Sequence, residues 1–157
     1  MGILILQCYE FARGVTSNNM GKLVRFSISI EEGLLSSFNE LVQERGYQNR
    51  SEAIRDAIRR QLIYREWEAG EEVAGVITIL YDHHRPGVAE TLTELQHHAL
   101  AHVIASTHIH LDESNCLECI AVRGEARTIE ALADRLKSLK GVKHGELTAT
   151  STGKKLT

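Results

Sequence analysis

The stretch LVRFSISI, residues 23–30, limits what this chain can fold into more than any other. Val24, Phe26, Ile28 and Ile30 alternate with Arg25, Ser27 and Ser29, the period of two that gives a strand one apolar and one polar face. A helix is expected next, through EEGLLSSFNELVQERG, with Leu34, Leu35, Phe38, Leu41 and Val42 on one stripe and Gly46 as its stop. Ser51 is placed to cap a second helix, SEAIRDAIRRQLIYREW, whose apolar side is Ala53, Ile54, Ala57, Ile58, Leu62 and Ile63. One strand and two short helices cannot bury enough apolar surface alone, and a lone strand has no ladder partner. A dimer that pairs two copies of the strand antiparallel, with four helices behind, resolves both difficulties. Arg25, Ser27 and Ser29 of both chains then share the outer face. A two-stranded ribbon of this kind fits the DNA major groove, where Arg reads guanine and hydroxyls read several base edges. The plainer possibility is a dimerisation ribbon whose polar face meets only water.

The rest of the chain supports a soluble protein of two small domains. Its 157 residues are 43% hydrophobic and 25% charged, with a net charge of -3, so no global excess of positive charge announces a nucleic-acid partner. Arg55, Arg59, Arg60 and Arg65 nevertheless crowd one segment. Three cysteines make no disulfide framework, which points to a reducing, cytoplasmic setting. No apolar run approaches the ~20 residues of a membrane helix. Residues 1–19 show no sustained period and end in the turn-like TSNN, whereas Met20 opens the patterned chain. They read as a leader, either disordered or the product of an upstream start. Residues 20–67 then form the βαα unit, and 68–72, EAGEE, a polar linker.

Residues 73–153 read as strand VAGVITILYDHH, helix GVAETLTELQHHALAHV, strand IASTHIHLD, strand CLECIAVRG, helix ARTIEALADRLKSLKG and strand VKHGELTATS. The order βαββαβ is the ferredoxin-like, ACT-like arrangement, so the fold class is α+β with two unlike domains. Within it, THIHLDESNC places His108 and His110 two apart on one strand, hence on one face. The loop DESN can fold Cys116 back toward them. Two imidazoles and a thiol favour a transition metal over Mg or Ca. One more ligand would complete a four-coordinate site, and His97, His98 and His102 are all within the preceding helical pattern; spacing does not choose among them. Ordinary polar roles are assigned to His83, His84, His102 and His144, and Cys119 reads as a small packed hydrophobe.

The strand, helix, GYQNRSEAIRD and helix order of residues 22–67 resembles the ribbon-helix-helix repressors. That resemblance implies base contacts by Arg25, Ser27 and Ser29, and phosphate anchoring at the start of the second helix near Ser51. Taken with LQHH, STHIHLDESNCLE and GVKHG, residues 22–153 as a whole resemble the nickel-responsive transcriptional regulators. The wider resemblance implies a homotetramer, a dimer of dimers, that binds double-stranded DNA at a palindromic operator. It implies one Ni(II) per chain, in a square-planar site of His108, His110 and Cys116 with His97 from a neighbouring chain. It further implies that Tyr81 and Glu118 support that site, and that Glu52 and Asp56 hold a second cation near DNA, although the two could simply pair with nearby arginines. The leader and the tail GKKLT, with residues 154–157 beyond the second domain, depart from the family pattern.

The expected function is thus a nickel-responsive DNA-binding regulator, in the repressor sense for nickel uptake genes. An alternative is a ribbon-helix-helix regulator that senses an amino acid or other small molecule through its ACT-like domain, which would leave the His and Cys set idle. An enzyme is not expected: four protein ligands fill a square plane, and no general-base motif such as H-E-x-x-H occurs.

Overall fold

The computed structural model describes residues 23–156, so the expected leader, residues 1–19, lies outside the described residues. Ile30–Leu156 form one compact unit; residues 23–29 fall in another and are considered by themselves. In that segment the alternation forms no ladder, and Leu23, Val24, Phe26 and Ile28 are all exposed, Phe26 to 69%. A strand is stabilised by the strand it pairs with, and among the described residues no neighbour supplies one. Arg25, Ser27 and Ser29 are likewise exposed.

Helix α1, Glu32–Glu44, stops where the sequence said it should. Gly46 takes a φ of 69°, and the amides of Gly46 and Tyr47 bond back to the carbonyls of Gln43 and Val42, which satisfies the last turn. None of the α1 side chains is fully buried: Leu35, Phe38 and Val42 are half-covered, while Leu34 and Leu41 of the same stripe stay exposed. Helix α2, Arg50–Glu68, is capped by Asn49, whose side chain accepts from the Glu52 amide at 2.9 Å. The expected cap, Ser51, sits inside the helix instead: Asn is at least as good an acceptor, and it comes first.

The expected linker is a turn of defined geometry. Gly70 has a φ of 69°, its amide bonds to Trp67 O, and the Glu71 amide bonds to Glu66 O, so α2 passes directly into β1.

The remaining elements are β1 Glu72–Asp82, α3 Val88–His97, β2 His102–His110, β3 Asn115–Glu125, α4 Ala126–Lys137 and β4 Val142–Thr150. The strands make one sheet in the order β2-β3-β1-β4 with every neighbouring pair antiparallel, the ferredoxin-like topology. Helix α3 ends at His97 rather than running on to Val103. Ala99, Ala101 and Val103 satisfy period two as well as they satisfy a helix, and pairing of β2 with β3 decides the matter.

Alternation then sorts the sheet into two faces. Val73, Ile77, Ile79 and Tyr81 of β1, with Ile120 and Val122 of β3, meet Leu92 of α3 and Ile129, Leu132, Ala133 and Leu136 of α4 in one core. Each Val, Leu or Ile side chain removed from water there contributes about 1.5–3 kcal/mol before entropy is counted. Packing here is close: a Cβ on Gly145 of β4 would lie 2.6 Å from Cγ of Lys137 and 2.9 Å from Cδ1 of Ile79. Glycine at that strand position lets α4 approach the sheet. Among the described residues no helix is long and apolar enough to cross a membrane.

Candidate metal centre

The centre begins with a hairpin. The Asp112 carboxylate accepts from the Ser114 and Asn115 amides at 2.8 Å each and from the Asn115 side chain at 2.7 Å. The Asn115 side chain and those two amides hold the Asp112 carboxyl below its ordinary range. The turn sets the register in which His110 opposes Cys116 and His108 opposes Glu118. Directly opposed residues on antiparallel strands share a face, so the expected ligands His108, His110 and Cys116 lie together on the helix-bearing side.

Within that set, Cys116 Sγ lies 3.2 Å from His110 Nδ1. His108 is one step further along β2, its ring centroid 4.7 Å from that of His110. Its Nδ1 lies 3.0 Å from the Tyr81 hydroxyl. Burial, followed by the nearby Glu118 and Cys116 charges, pushes the Tyr81 phenol up to about 12, so the phenol keeps its proton. Tyr81 and His108 therefore share one hydrogen bond that fixes the imidazole, as supporting residues do for metal-bound histidine. The buried Glu118 carboxylate accepts from Gln96 Nε2 and Ser106 Oγ at 2.7 Å each, which ties β3 to α3 and to β2.

Sequence reasoning passed over His83. Its Nδ1 lies 3.4 Å from Cys116 Sγ, and His83, His110 and Cys116 are the one group of three metal-competent donors that converges among the described residues. Tyr81 pairs with Cys116 across β1 and β3, so the residue two beyond Tyr81 returns to the same region. Finding it required that register, which the sequence does not print.

His97 stands apart from this group. It is exposed at the end of α3 and lines a cavity of about 590 Å³ with Gln96, Ser106 and Glu118. The chemistry of the donors fits a late transition ion. Thiolate and imidazole are soft to intermediate ligands, and both Ni(II) and Cu(II) take them. Burial, then the Asp112 and Asp82 charges, pushes the Cys116 thiol up, so a metal that binds there must displace a proton.

Glu52 and Asp56 lie on one side of α2 but are already engaged. Glu52 pairs with Arg55 and, at 3.8 Å, with Arg59; Asp56 takes the Tyr47 hydroxyl and Arg60. Donation from Tyr47 is the leading reason that the Asp56 carboxyl lies below its ordinary range.

Residues 24–65 match the family described as ribbon-helix-helix protein, copG family, and residues 74–150 match the NikR C terminal nickel binding domain. Together they define a class: a DNA-binding regulator whose second domain belongs to a nickel-binding family. A protein of Pyrococcus horikoshii that carries the name "Putative nickel-responsive regulator" is 57% identical over 136 residues, covering 86% of this chain and 99% of that one. Namesakes from Pyrococcus abyssi (58% over 135 residues, covering 85% and 98%) and Geobacter sulfurreducens (51% over 138 residues, covering 87% and 99%) are similar along the same extent. The chain belongs to the nickel-responsive regulator family.

Proposed function

We propose that each chain binds one Ni(II) through His108, His110 and Cys116 together with His97 of a neighbouring chain, in a cytoplasmic homotetramer assembled as a dimer of dimers. Nickel-loaded tetramer binds a palindromic DNA operator through Arg25, Ser27 and Ser29 and represses genes for nickel uptake. The observation that carries this reading is the approach of Cys116 Sγ on β3 to His110 Nδ1 on the edge strand β2, at 3.2 Å, with His97 of the same chain outside the group that these two form with His83. With His108, His110 and Cys116 as three donors, the fourth in this reading is His97 of another chain, and the competing donor is His83 of the same chain, whose Nδ1 lies 3.4 Å from Cys116 Sγ.

The residues divide the work. Tyr81 orients His108, and Glu118 holds Gln96 and Ser106 so that the end of α3 and the edge strand keep a fixed spacing. Ni(II), when bound, supplies a link between donors on two chains. His97 then ties the end of α3 of one chain to β2 and β3 of another, which restricts how two ribbon dimers are oriented. A ligand shifts such an equilibrium only by its differential affinity for the two states. The family's second cation role for Glu52 and Asp56 gives way in this reading to internal pairing with arginine. The protein acts as a regulator and not as an enzyme.

A Ni(II) titration of the reduced protein followed by absorption tests the reading. Thiolate-to-nickel charge-transfer bands should saturate near one metal per chain and vanish in Cys116→Ala. Bands that persist in that variant would contradict it. On the DNA side, Arg25→Ala should relax sequence preference, whereas loss of a phosphate contact weakens binding to all sequences alike.

A further inference from the structure

Residues 151–156 fold back over the junction between α2 and β1. Gly153 takes a φ of 82°, its amide bonds to Ser151 Oγ, and the Leu156 amide bonds to Gly153 O, a tight turn that presents two consecutive lysines. Lys154 Nζ lies 3.1 Å from Glu72 Oε2, while Arg123 holds the other oxygen of that carboxylate at 2.9 Å. Lys155 pairs with Glu71. Just before the turn, the indole N–H of Trp67, in the last turn of α2, donates to Thr150 O at 2.9 Å.

Beneath Lys155 is a small cavity of about 130 Å³ lined by Leu62, Arg65, Glu66, Glu71 and Lys155. Glu66 is 7% exposed, and its Oε2 is buried without a hydrogen-bond partner. The end of α2 thus gathers Glu66, Glu68 and Glu71 at a helix C-terminus, where the backbone dipole already disfavours negative charge. Lys155 meets Glu71 of that group, and Lys154 meets Glu72 at the start of β1, so two ammonium groups are brought to the junction.

We propose that residues 151–156 are an electrostatic clasp that stiffens the α2–β1 junction, so that a change in the sheet is passed on to α2. The second half of the proposal rests on the nickel-responsive reading above; the clasp itself does not. All four carboxylate and ammonium groups are partly exposed, which makes the clasp sensitive to salt.

Hydrogen exchange on the full chain tests both halves. The probes are the amides of Glu71 and Ala126, bonded to Glu66 O and Glu71 O respectively. In Lys154→Ala/Lys155→Ala they should exchange about fivefold faster at low salt, the upper range for an exposed pair. The difference should disappear in ~1 M NaCl, where screening is nearly complete. The charge swap Glu71→Lys/Lys155→Glu should restore slow exchange. Equal rates in the double variant, or no recovery in the swap, would overturn the clasp. Nickel loading, followed at the Cys116 charge-transfer bands, is measured on the same samples. With loading equal, Ni(II) should slow exchange along α2 in the natural sequence and do so less in the double variant. An equal nickel effect in both would show that the clasp conveys nothing. Absence of charge-transfer bands in both would instead indict the metal site and leave the salt and swap results to judge the clasp.

Discussion

Two segments of this chain carry the same alternating pattern and end differently. Along β1, Val73, Ile77, Ile79 and Tyr81 turn inward, and the strand pairs with β3 on one side and β4 on the other. Along residues 23–29, Val24, Phe26 and Ile28 alternate as cleanly and remain exposed, with no ladder. A period of two fixes which side chains share a face. Whether a strand then forms depends on where its partner is, and for β1 the partners lie in the same chain. The half-covered stripe of α1 repeats the point: Leu34 and Leu41 are exposed although their spacing is that of a buried helix face.

Four perturbations would sharpen or break this contrast. Ile120→Ala empties a fully buried position and should cost about 2–5 kcal/mol in urea unfolding, whatever the protein concentration. Tyr81→Phe keeps the packing but releases His108, and nickel affinity should fall roughly 10–100-fold in a competitive titration while the sheet keeps most of its stability. Asn49→Ala should cost ~1 kcal/mol, since the Glu52 amide loses its acceptor; an equal loss in Ser51→Ala would restore the cap first expected. Phe26→Ala should be the mildest, changing the unfolding of the sheet by less than about 0.5 kcal/mol, as surface substitutions do. Its effect should appear in dimerisation and DNA binding. If Phe26→Ala cost as much as Ile120→Ala at every concentration, the segment would be packed within its own chain and the contrast would fail.

Acidity gives a further check on the metal centre. Burial raises the Cys116 thiol, so nickel bound through it would have to displace its proton. Nickel affinity should therefore decline as pH is lowered from about 8 to about 6, with proton release on binding visible in a weakly buffered titration. Affinity independent of pH would mean that Cys116 is not a ligand.

Much of this could be read in the residues themselves. The βαββαβ order followed from alternating and helical periods, and the shared face of His108 and His110 followed from their spacing. Gly46 was legible as a stop because a positive φ there costs little only for glycine. What escaped was set by pairing between distant segments. The HALAHV stretch fits two periods equally, and β3 selects the strand. His83 reaches Cys116 because Tyr81 and Cys116 are in register, a fact of the sheet and not of local sequence. EAGEE reads as a polar linker, and the Glu71 and Gly70 amides close the end of α2 into a turn within it.

The central claim is that the nickel site is completed by a second chain, and complementation tests it most directly. Cys116→Ala chains lack the thiolate but retain His97; His97→Ala chains lack that imidazole but retain His108, His110 and Cys116. Each variant alone should show no high-affinity thiolate-to-nickel bands. Refolded together, they should recover a fraction of the natural absorption, because mixed oligomers place an intact His97 beside an intact Cys116. If His97→Ala alone bound nickel as tightly as the natural sequence, the site would be complete within one chain, with His83 the available donor, and the shared-ligand account would be wrong.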